Sequence, residues 1–359
     1  MSVYIHIPFC SSICSYCDFS KMFYKKEWIN SYLNELEKEI RLNYKGEKIK
    51  TIYIGGGTPS VLSKEELKRL FEILKVFNKD KNVEFSIECN PEDLIKEKTD
   101  LFFEYGINRV SIGVQTFEKK YLNLLNRKHK LSDVVAAIAN LKESNISNIN
   151  IDIMYGFSGQ SIEEFLEDLK KCIDLGVKHI SMYSLILEEN TRLYIDKYLE
   201  IEEDIESEMY FKGIELLKDS GFKHYELSNF HKDDYYCRHN LVYWNNENYY
   251  GFGLAASGYT NNIRYTNTRS INNYLRGKHK LDNEFLTTKE KINYHIILGL
   301  RKIKGINKKE FQNLYDISIK EIKNVDKLLK EGKLKENDEY IYINYEYLYL
   351  SNMILVEII

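Results

Sequence analysis

Three cysteines close to the start of the chain are the residues best suited to chemistry. Cys10, Cys14 and Cys17 follow the spacing C-x3-C-x2-C, so one short loop carries all three thiols. Three thiolates can hold a four-iron, four-sulfur cube in which one iron lacks a protein ligand. The amino and carboxylate groups of S-adenosylmethionine can chelate that iron, and electron transfer into the sulfonium then yields a 5′-deoxyadenosyl radical. The spacing therefore predicts a [4Fe-4S] cluster that works with S-adenosylmethionine.

Two other interpretations of these thiols stay open. Soft thiolates also suit zinc, but a structural zinc site needs a fourth Cys or His nearby and none follows Cys17. The three thiols could instead be incidental buried residues, which is the interpretation we prefer for Cys89 and Cys172. Cys237 is expected to be structural for the same reason, although it could also serve as a thiolate ligand.

A glycine-rich turn supports the cluster independently. Gly55-Gly56-Gly57-Thr58-Pro59 follows a predicted strand, and glycines let a ligand approach the backbone closely. Such turns are common, so this motif is specific only together with the cysteines.

The elements that position these motifs alternate between strand and helix up to about residue 190. Helices are expected, from apolar stripes, at Trp28–Asn43, Lys64–Phe77, Leu131–Lys142 and Ile162–Leu175. Strands are expected at Ser2–Ile7, Thr51–Ile54, Glu84–Glu88, Arg109–Val114, Asn148–Met154 and His179–Ser184. This alternation predicts a parallel sheet, and six units are too few to close a barrel of eight. We therefore expect an α/β fold, an open partial (βα)6 barrel with polar residues converging at the carboxyl ends of its strands.

The pattern changes beyond residue 200. A helix is expected at Asp204–Asp219, followed by a stretch rich in Tyr, Asn and Gly. The last part combines helices, including Ile319–Glu331, with an alternating strand at Tyr340–Ile343, which indicates a winged-helix-like module. We expect a barrel core over residues 1–200, a barrel extension over 201–285 and the winged-helix-like domain over 286–359.

Charge and composition exclude some function classes. The net charge of -3 and the pI near 6.3 give no electrostatic reason to bind nucleic acid, so we expect the winged module to serve packing. Neither a signal peptide nor an apolar run of about 18–20 residues is visible, which predicts a cytoplasmic location where thiols stay reduced.

Four motifs together resemble one known superfamily, that of the oxygen-independent coproporphyrinogen oxidases. They are Tyr4-Ile5-His6-Ile7-Pro8-Phe9-Cys10, Gly55-Gly56-Gly57-Thr58-Pro59-Ser60, Ile112-Gly113-Val114-Gln115-Thr116-Phe117 and Ile151-Asp152-Ile153-Met154-Tyr155-Gly156. The superfamily contains a decarboxylating dehydrogenase and a branch of heme chaperones. The dehydrogenase has a further Cys two residues after the third ligand, where this chain has Phe19, and an N-terminal extension where only nine residues precede Cys10. The segment His239-Asn240-Leu241-Val242-Tyr243-Trp244 matches the H-N-x-x-Y-W signature of the chaperone branch, which the C-terminal end also resembles.

The resemblance implies a set of binding residues. Contacts to the cluster-bound S-adenosylmethionine are implied for Tyr4, Gly56 and Glu88. A second S-adenosylmethionine site, known from the dehydrogenase, is implied for Tyr16, Gly57, Thr58, Gln115, Arg127 and Asp152. An internal ion pair at the barrel rim is the alternative for each of Glu88, Arg127 and Asp152. His6 and His129 are expected to form supporting hydrogen bonds.

Heme contacts are implied for His239, Tyr243 and Trp244, with His239 as an axial ligand and Arg238 near a propionate. The alternative for His239 is a hydrogen-bonded histidine packed beside the Tyr and Trp rings.

The resemblance implies a heme chaperone that binds heme and transfers it to an acceptor protein. Its other implied partner is an electron donor of the flavodoxin or ferredoxin type, with peripheral membrane contact through the acceptor and no nucleic acid. The alternative function is the radical oxidative decarboxylation of coproporphyrinogen III, so the sequence leaves open whether the protein is an enzyme.

Overall fold

Six parallel strands form the centre of the protein. The computed structural model describes all 359 residues. The central strands are β1 (Ser2–Ile7), β2 (Ile49–Gly56), β3 (Lys79–Cys89), β4 (Arg109–Gln115), β5 (Asn148–Tyr155) and β6 (His179–Ser184). Each pairs in parallel with the next in sequence order. The predicted parallel sheet is thus confirmed, and the predicted bounds of β1 and β6 agree with the structure.

Helices cover the outer face of these strands. They are α1 (Lys26–Asn43), α2 (Lys64–Ile73), α3 (Lys96–Glu104), α4 (Lys119–Leu124), α5 (Leu131–Glu143) and α6 (Ile162–Asp174). Each buries an apolar stripe, such as Leu67, Leu70 and Phe71 of α2, against the sheet. Capping boxes, in which a serine and a glutamate three residues later exchange hydrogen bonds, fix the starts of α2 and α6.

The segment after residue 200 extends the same sheet at both edges. Its strands are β7 (Lys223–Glu226), β8 (Asn229–His231), β9 (Tyr249–Phe252), β10 (Ser257–Thr260), β11 (Ile263–Asn267) and β12 (Lys280–Phe285). The short helix α7 (Arg192–Ile195) precedes this segment, whose own helices are α8 (Glu203–Asp219), α9 (Arg238–Trp244) and α10 (Ile271–Tyr274). The sheet order is β12-β11-β10-β9-β1-β2-β3-β4-β5-β6-β8-β7, with β9 parallel to β1 and β8 antiparallel to β6. The sheet ends in two separate edge strands, so the barrel is open as predicted.

The C-terminal part has the order of a winged helix. Its elements are α11 (Thr288–Gly299), β13 (Ile306–Asn307), α12 (Lys308–Tyr315), α13 (Val325–Lys330), β14 (Leu334–Glu336), β15 (Tyr340–Ile343) and α14 (Ser351–Ile358). The three strands form a small antiparallel sheet. The predicted helix Ile319–Glu331 is wrong in its length, because Asn324 has a φ of 62° and separates a 3-10 turn at Ile319–Glu321 from α13. No helix is both long and apolar enough to cross a membrane.

Candidate functional site

The cysteine loop lies at the carboxyl end of β1 and opens onto one cavity. Cys10 ends a two-residue strand that pairs in parallel with Met22–Phe23, which closes the base of the loop. At the far side of the loop, the Ser15 amide and hydroxyl donate to the carbonyl oxygens of Leu125 (3.2 Å) and Leu124 (2.7 Å). All three cysteines line a cavity of about 530 Å³, which places the predicted ligands around one space.

The three thiols of this loop do not form a site for a single metal ion. No three His, Cys, Asp or Glu side chains come close enough to bind a single metal ion. The Thr58 hydroxyl donates to Cys10 Sγ at 3.5 Å. Burial raises the pKa of Cys10 to about 11, although the Thr58 hydroxyl opposes this shift, and burial also raises the pKa of Cys17. Iron binding must therefore displace protons from these thiols.

The glycine turn after β2 lies directly against the cysteine loop. Gly56 has a φ of +115°, and a Cβ there would lie 2.6 Å from the His6 ring. A Cβ on Gly57 would lie 2.8 Å from the Pro8 backbone. The Gly57 and Thr58 amides donate to the carbonyl oxygens of Ile7 (2.9 Å) and Phe9 (2.8 Å). Only glycine permits this approach of two chain segments, and the turn lines the cavity beside Cys10.

Glu88 reaches into the same cavity from β3. Its Oε1 accepts from the Tyr53 hydroxyl at 2.9 Å and its Oε2 from the Gly56 amide at 3.1 Å. Burial, together with the negative charge of Asp152, raises the pKa of Glu88 to about 7. The carboxyl thus changes its charge near neutral pH.

The residues of the expected second S-adenosylmethionine site all line this same cavity. Arg127 donates to Asn90 Oδ1 (2.7 Å), the Gly113 carbonyl oxygen (3.0 Å) and the Tyr16 hydroxyl (3.2 Å), while its Nε is buried without a partner. Asp152 accepts from the Asn150 amide at 2.7 Å, and burial raises its pKa. Glu88, Arg127 and Asp152 form no salt bridge, so the alternative of an internal ion pair does not describe them.

A bulge in β4 places Gln115 in the wall of the large cavity. The register between β4 and β5 shifts at Gly113, and Gln115 has a φ of 72°. Its Oε1 accepts from the Tyr183 hydroxyl of β6 at 2.6 Å. Bulges of this kind redirect side chains next to functional sites.

Tyr4 lies apart from the other expected S-adenosylmethionine contacts. It lines a smaller cavity of about 270 Å³ that also contains Tyr243 and Ala255. Its hydroxyl bonds His6 Nδ1 at 3.0 Å, and His6 Nε2 bonds the Ser20 carbonyl oxygen at 2.8 Å. His6 thus has the supporting role expected from the sequence, whereas both ring nitrogens of His129 are buried without a partner.

Helix α9, which carries the H-N-x-x-Y-W signature, lies against β2 and β3. The Arg238 and His239 amides each donate to one oxygen of the buried Glu84 carboxylate, both at 2.9 Å. A carboxylate in this position satisfies the free amides of a helix start and interacts favourably with its dipole. Asn240 thereby lines the large cavity and Tyr243 the small one.

The surroundings of His239 do not suit an axial heme ligand. Its side chain is 1% exposed, Nδ1 bonds the Thr51 hydroxyl at 2.7 Å and Nε2 bonds the Tyr243 hydroxyl at 2.9 Å. Both nitrogens are therefore occupied, and the ring stacks on Tyr53. Burial lowers the pKa of His239 to about 3, so the ring is neutral. The alternative of a hydrogen-bonded core histidine describes this geometry.

Trp244 is half-buried, and the polar end of its ring is enclosed by the protein. Its indole Nε1 is buried without a partner, and the Arg301 guanidinium lies 5.9 Å from the ring centre. Arg238 donates to the Asn82 carbonyl oxygen at 2.6 Å, on the side of α9 that faces β3.

Several cavity residues were missed in the sequence. They include Tyr53, Ser111, Asn240, Ser181 and Tyr183. The strand members among them share a signal, since polar residues alternate with apolar ones in strands whose apolar residues are buried. Asn240 carries no such signal, because only the docking of α9 turns it toward the cavity.

Comparisons with known proteins bear on the family and the fold of the chain. Residues 4–172 match the model of the Radical SAM superfamily. The chain is 37% identical to a protein named heme chaperone HemW from Lactococcus lactis over 94% of this chain and 91% of the relative. It is also 37% identical to a heme chaperone HemW from Bacillus subtilis over 98% of this chain and 97% of the relative. Among solved structures, the coproporphyrinogen III oxidase HemN from Escherichia coli, a radical SAM enzyme, superposes with a TM-score of 0.85 at 23% identity, covering 99% of this chain and 89% of that chain. At that identity the likeness concerns the fold alone.

Proposed function

The chain belongs to the HemW family of radical SAM proteins, and from this premise we propose that it binds heme and transfers it to an acceptor protein. The observation that carries this proposal is the 37% identity to a heme chaperone over 98% of the chain. Phe19, which stands where the dehydrogenase branch has a further cysteine, supports the same choice. The proposal includes a cytoplasmic location and the partners expected from the sequence, namely the acceptor with its membrane contact and an electron donor of the flavodoxin or ferredoxin type. It also keeps the three expected regions, 1–200, 201–285 and 286–359.

A [4Fe-4S] cluster fits the residues that are present. Cys10, Cys14 and Cys17 would supply three thiolate ligands around one cavity, and Gly57 keeps the adjacent backbone free of a side chain. When bound, the cluster with S-adenosylmethionine would supply reductive cleavage of the sulfonium.

S-adenosylmethionine fits the polar walls of the same cavity. Gly56 and Glu88 would face the copy at the cluster, with the Glu88 carboxylate accepting from an ammonium or a ribose hydroxyl. Tyr4 would join them from the smaller cavity. Tyr16, Gly57, Thr58, Gln115, Arg127 and Asp152 would form the second site, where the unpartnered Arg127 Nε can donate to a carboxylate. The heme contacts expected at His239, Tyr243 and Trp244 require these side chains to leave their present partners.

We expect S-adenosylmethionine binding to depend on the charge of Glu88. Its pKa of about 7 means that the carboxyl loses its charge as the pH falls below 7, and the attraction to the cationic ligand is then lost. Affinity should therefore weaken as the pH falls from about 8 to about 6, by at most about tenfold per pH unit. Calorimetric titration of the reconstituted protein over this range measures the effect. The Glu88→Gln variant is the control and should show a weaker, flatter profile, whereas an identical profile in both proteins would contradict the assignment.

The test of the function is a pair of assays on one sample. The protein is purified, its cluster is reconstituted anaerobically, and iron and sulfide are quantified. Hemin is titrated by absorbance, and coproporphyrinogen III is incubated with S-adenosylmethionine and a reductant. We expect stoichiometric heme binding without conversion of the porphyrinogen. Conversion to protoporphyrinogen would overturn the proposal in favour of the dehydrogenase.

A further inference from the structure

The two cavities near the expected heme residues are poorly suited to heme. The large cavity of about 530 Å³ is the space that we assign to the cluster and S-adenosylmethionine, so it has no room left for heme. The polar groups of its walls, among them Glu88, Arg127 and Asp152, are those that we assign to S-adenosylmethionine. The smaller cavity beside Tyr243 has only about 270 Å³. A planar macrocycle therefore needs another surface.

Two exposed apolar side chains that line the large cavity offer such a surface. Phe19, in the cysteine loop, is 66% exposed, and Ile186, directly after β6, is 64% exposed. Single exposed apolar side chains are ordinary on a protein surface. These two come from different segments of the chain, and both line the large cavity, while Phe19 also lines the smaller one. A flat apolar ligand lying across the opening of the large cavity would cover both.

We propose that heme docks across this opening, with its macrocycle against Phe19 and Ile186 and outside the cluster cavity. This inference rests on the proposed function, since it locates the cargo that the function requires. Lys21, which also lines the cavity and whose ammonium donates to the Cys17 carbonyl oxygen, would supply a cation for a propionate. Asp18 and Glu188 line the same opening, so a propionate must point toward Lys21 rather than toward them. Heme and S-adenosylmethionine then bind at the same time.

Hemin titration of the reconstituted protein tests this location. Phe19→Ser and Ile186→Ser should each weaken heme affinity about tenfold, because each removes an apolar contact that the bound macrocycle would cover. Iron content and S-adenosylmethionine affinity should stay unchanged in both variants. Phe103→Ser is the matched control, since Phe103 is 52% exposed on α3 and lines neither cavity. Saturating S-adenosylmethionine should leave heme affinity of the wild type unchanged.

Competition between S-adenosylmethionine and hemin would overturn the inference, because it would place heme inside the cavity. Wild-type heme affinity in both Ile186→Ser and Phe19→Ser would also overturn it, and a loss in His239→Ala alone would instead place heme at α9. These outcomes apply when the wild type binds hemin. If neither the wild type nor any variant binds hemin, the proposed function itself fails, and the inference fails with it.

Discussion

Replacement of Cys14 by serine is expected to abolish assembly of the four-iron cluster. The loop offers three thiols to four irons, and the loss of one leaves two irons without a protein ligand. Cys14 is a better choice than Cys10, because Cys14 is only half-buried whereas Cys10 is buried and bonded to Thr58. The substitution should therefore remove the cluster without unfolding the chain. Iron and sulfide per chain after anaerobic reconstitution should fall to background, and the visible absorption of the cluster should disappear.

A second thiol outside the cavity provides the control. Cys172 is fully buried in α6 and lies away from the large cavity, so Cys172→Ala should retain the full iron content. Circular dichroism of Cys14→Ser should match the wild type. Iron at the wild-type level in Cys14→Ser would exclude this residue as a ligand and contradict the predicted cluster.

Glu84→Ala is expected to lower the free energy of unfolding by about 3–5 kcal/mol, the cost of breaking a buried charged interaction. The substitution leaves the Arg238 and His239 amides without an acceptor at the buried start of α9. It also removes a negative charge that favours the buried guanidinium of Arg109. Urea unfolding followed by circular dichroism measures the loss. The cavity should change as well, because α9 places Asn240 in its wall.

Glu84→Gln separates the two contributions. Its amide carbonyl can still accept from one of the two helix amides, so we expect a smaller loss than with alanine. The exposed Glu72→Ala, on the outer surface of α2, is the control and should change stability by less than about 0.5 kcal/mol. Equal stability of Glu84→Ala and the wild type would mean that α9 does not depend on this carboxylate.

The sequence by itself determined those strands and helices whose apolar residues repeat within a short stretch of chain. The strands β1 and β6 and the helices around Leu67 and Phe165 follow from apolar periodicity within about 18 residues. The cysteine spacing and the glycine turn are equally local, since each motif lies within one loop. The order of six parallel strands follows from the alternation of these elements, because consecutive strand–helix–strand units connect in one hand.

Only the tertiary structure decided which surfaces the side chains of the signature helix α9 contact. His239 meets Thr51 across 188 residues and the Glu84 carboxylate across 155 residues, and nothing in the local sequence encodes either contact. The same holds for Tyr4, which turns to the smaller cavity, and for Asn240, which turns to the larger one. The direction of a side chain in a short helix depends on which surface of the barrel the helix packs against. That surface exists only once β2 and β3 are paired, so a residue pattern can identify the signature but not the ligand that it faces.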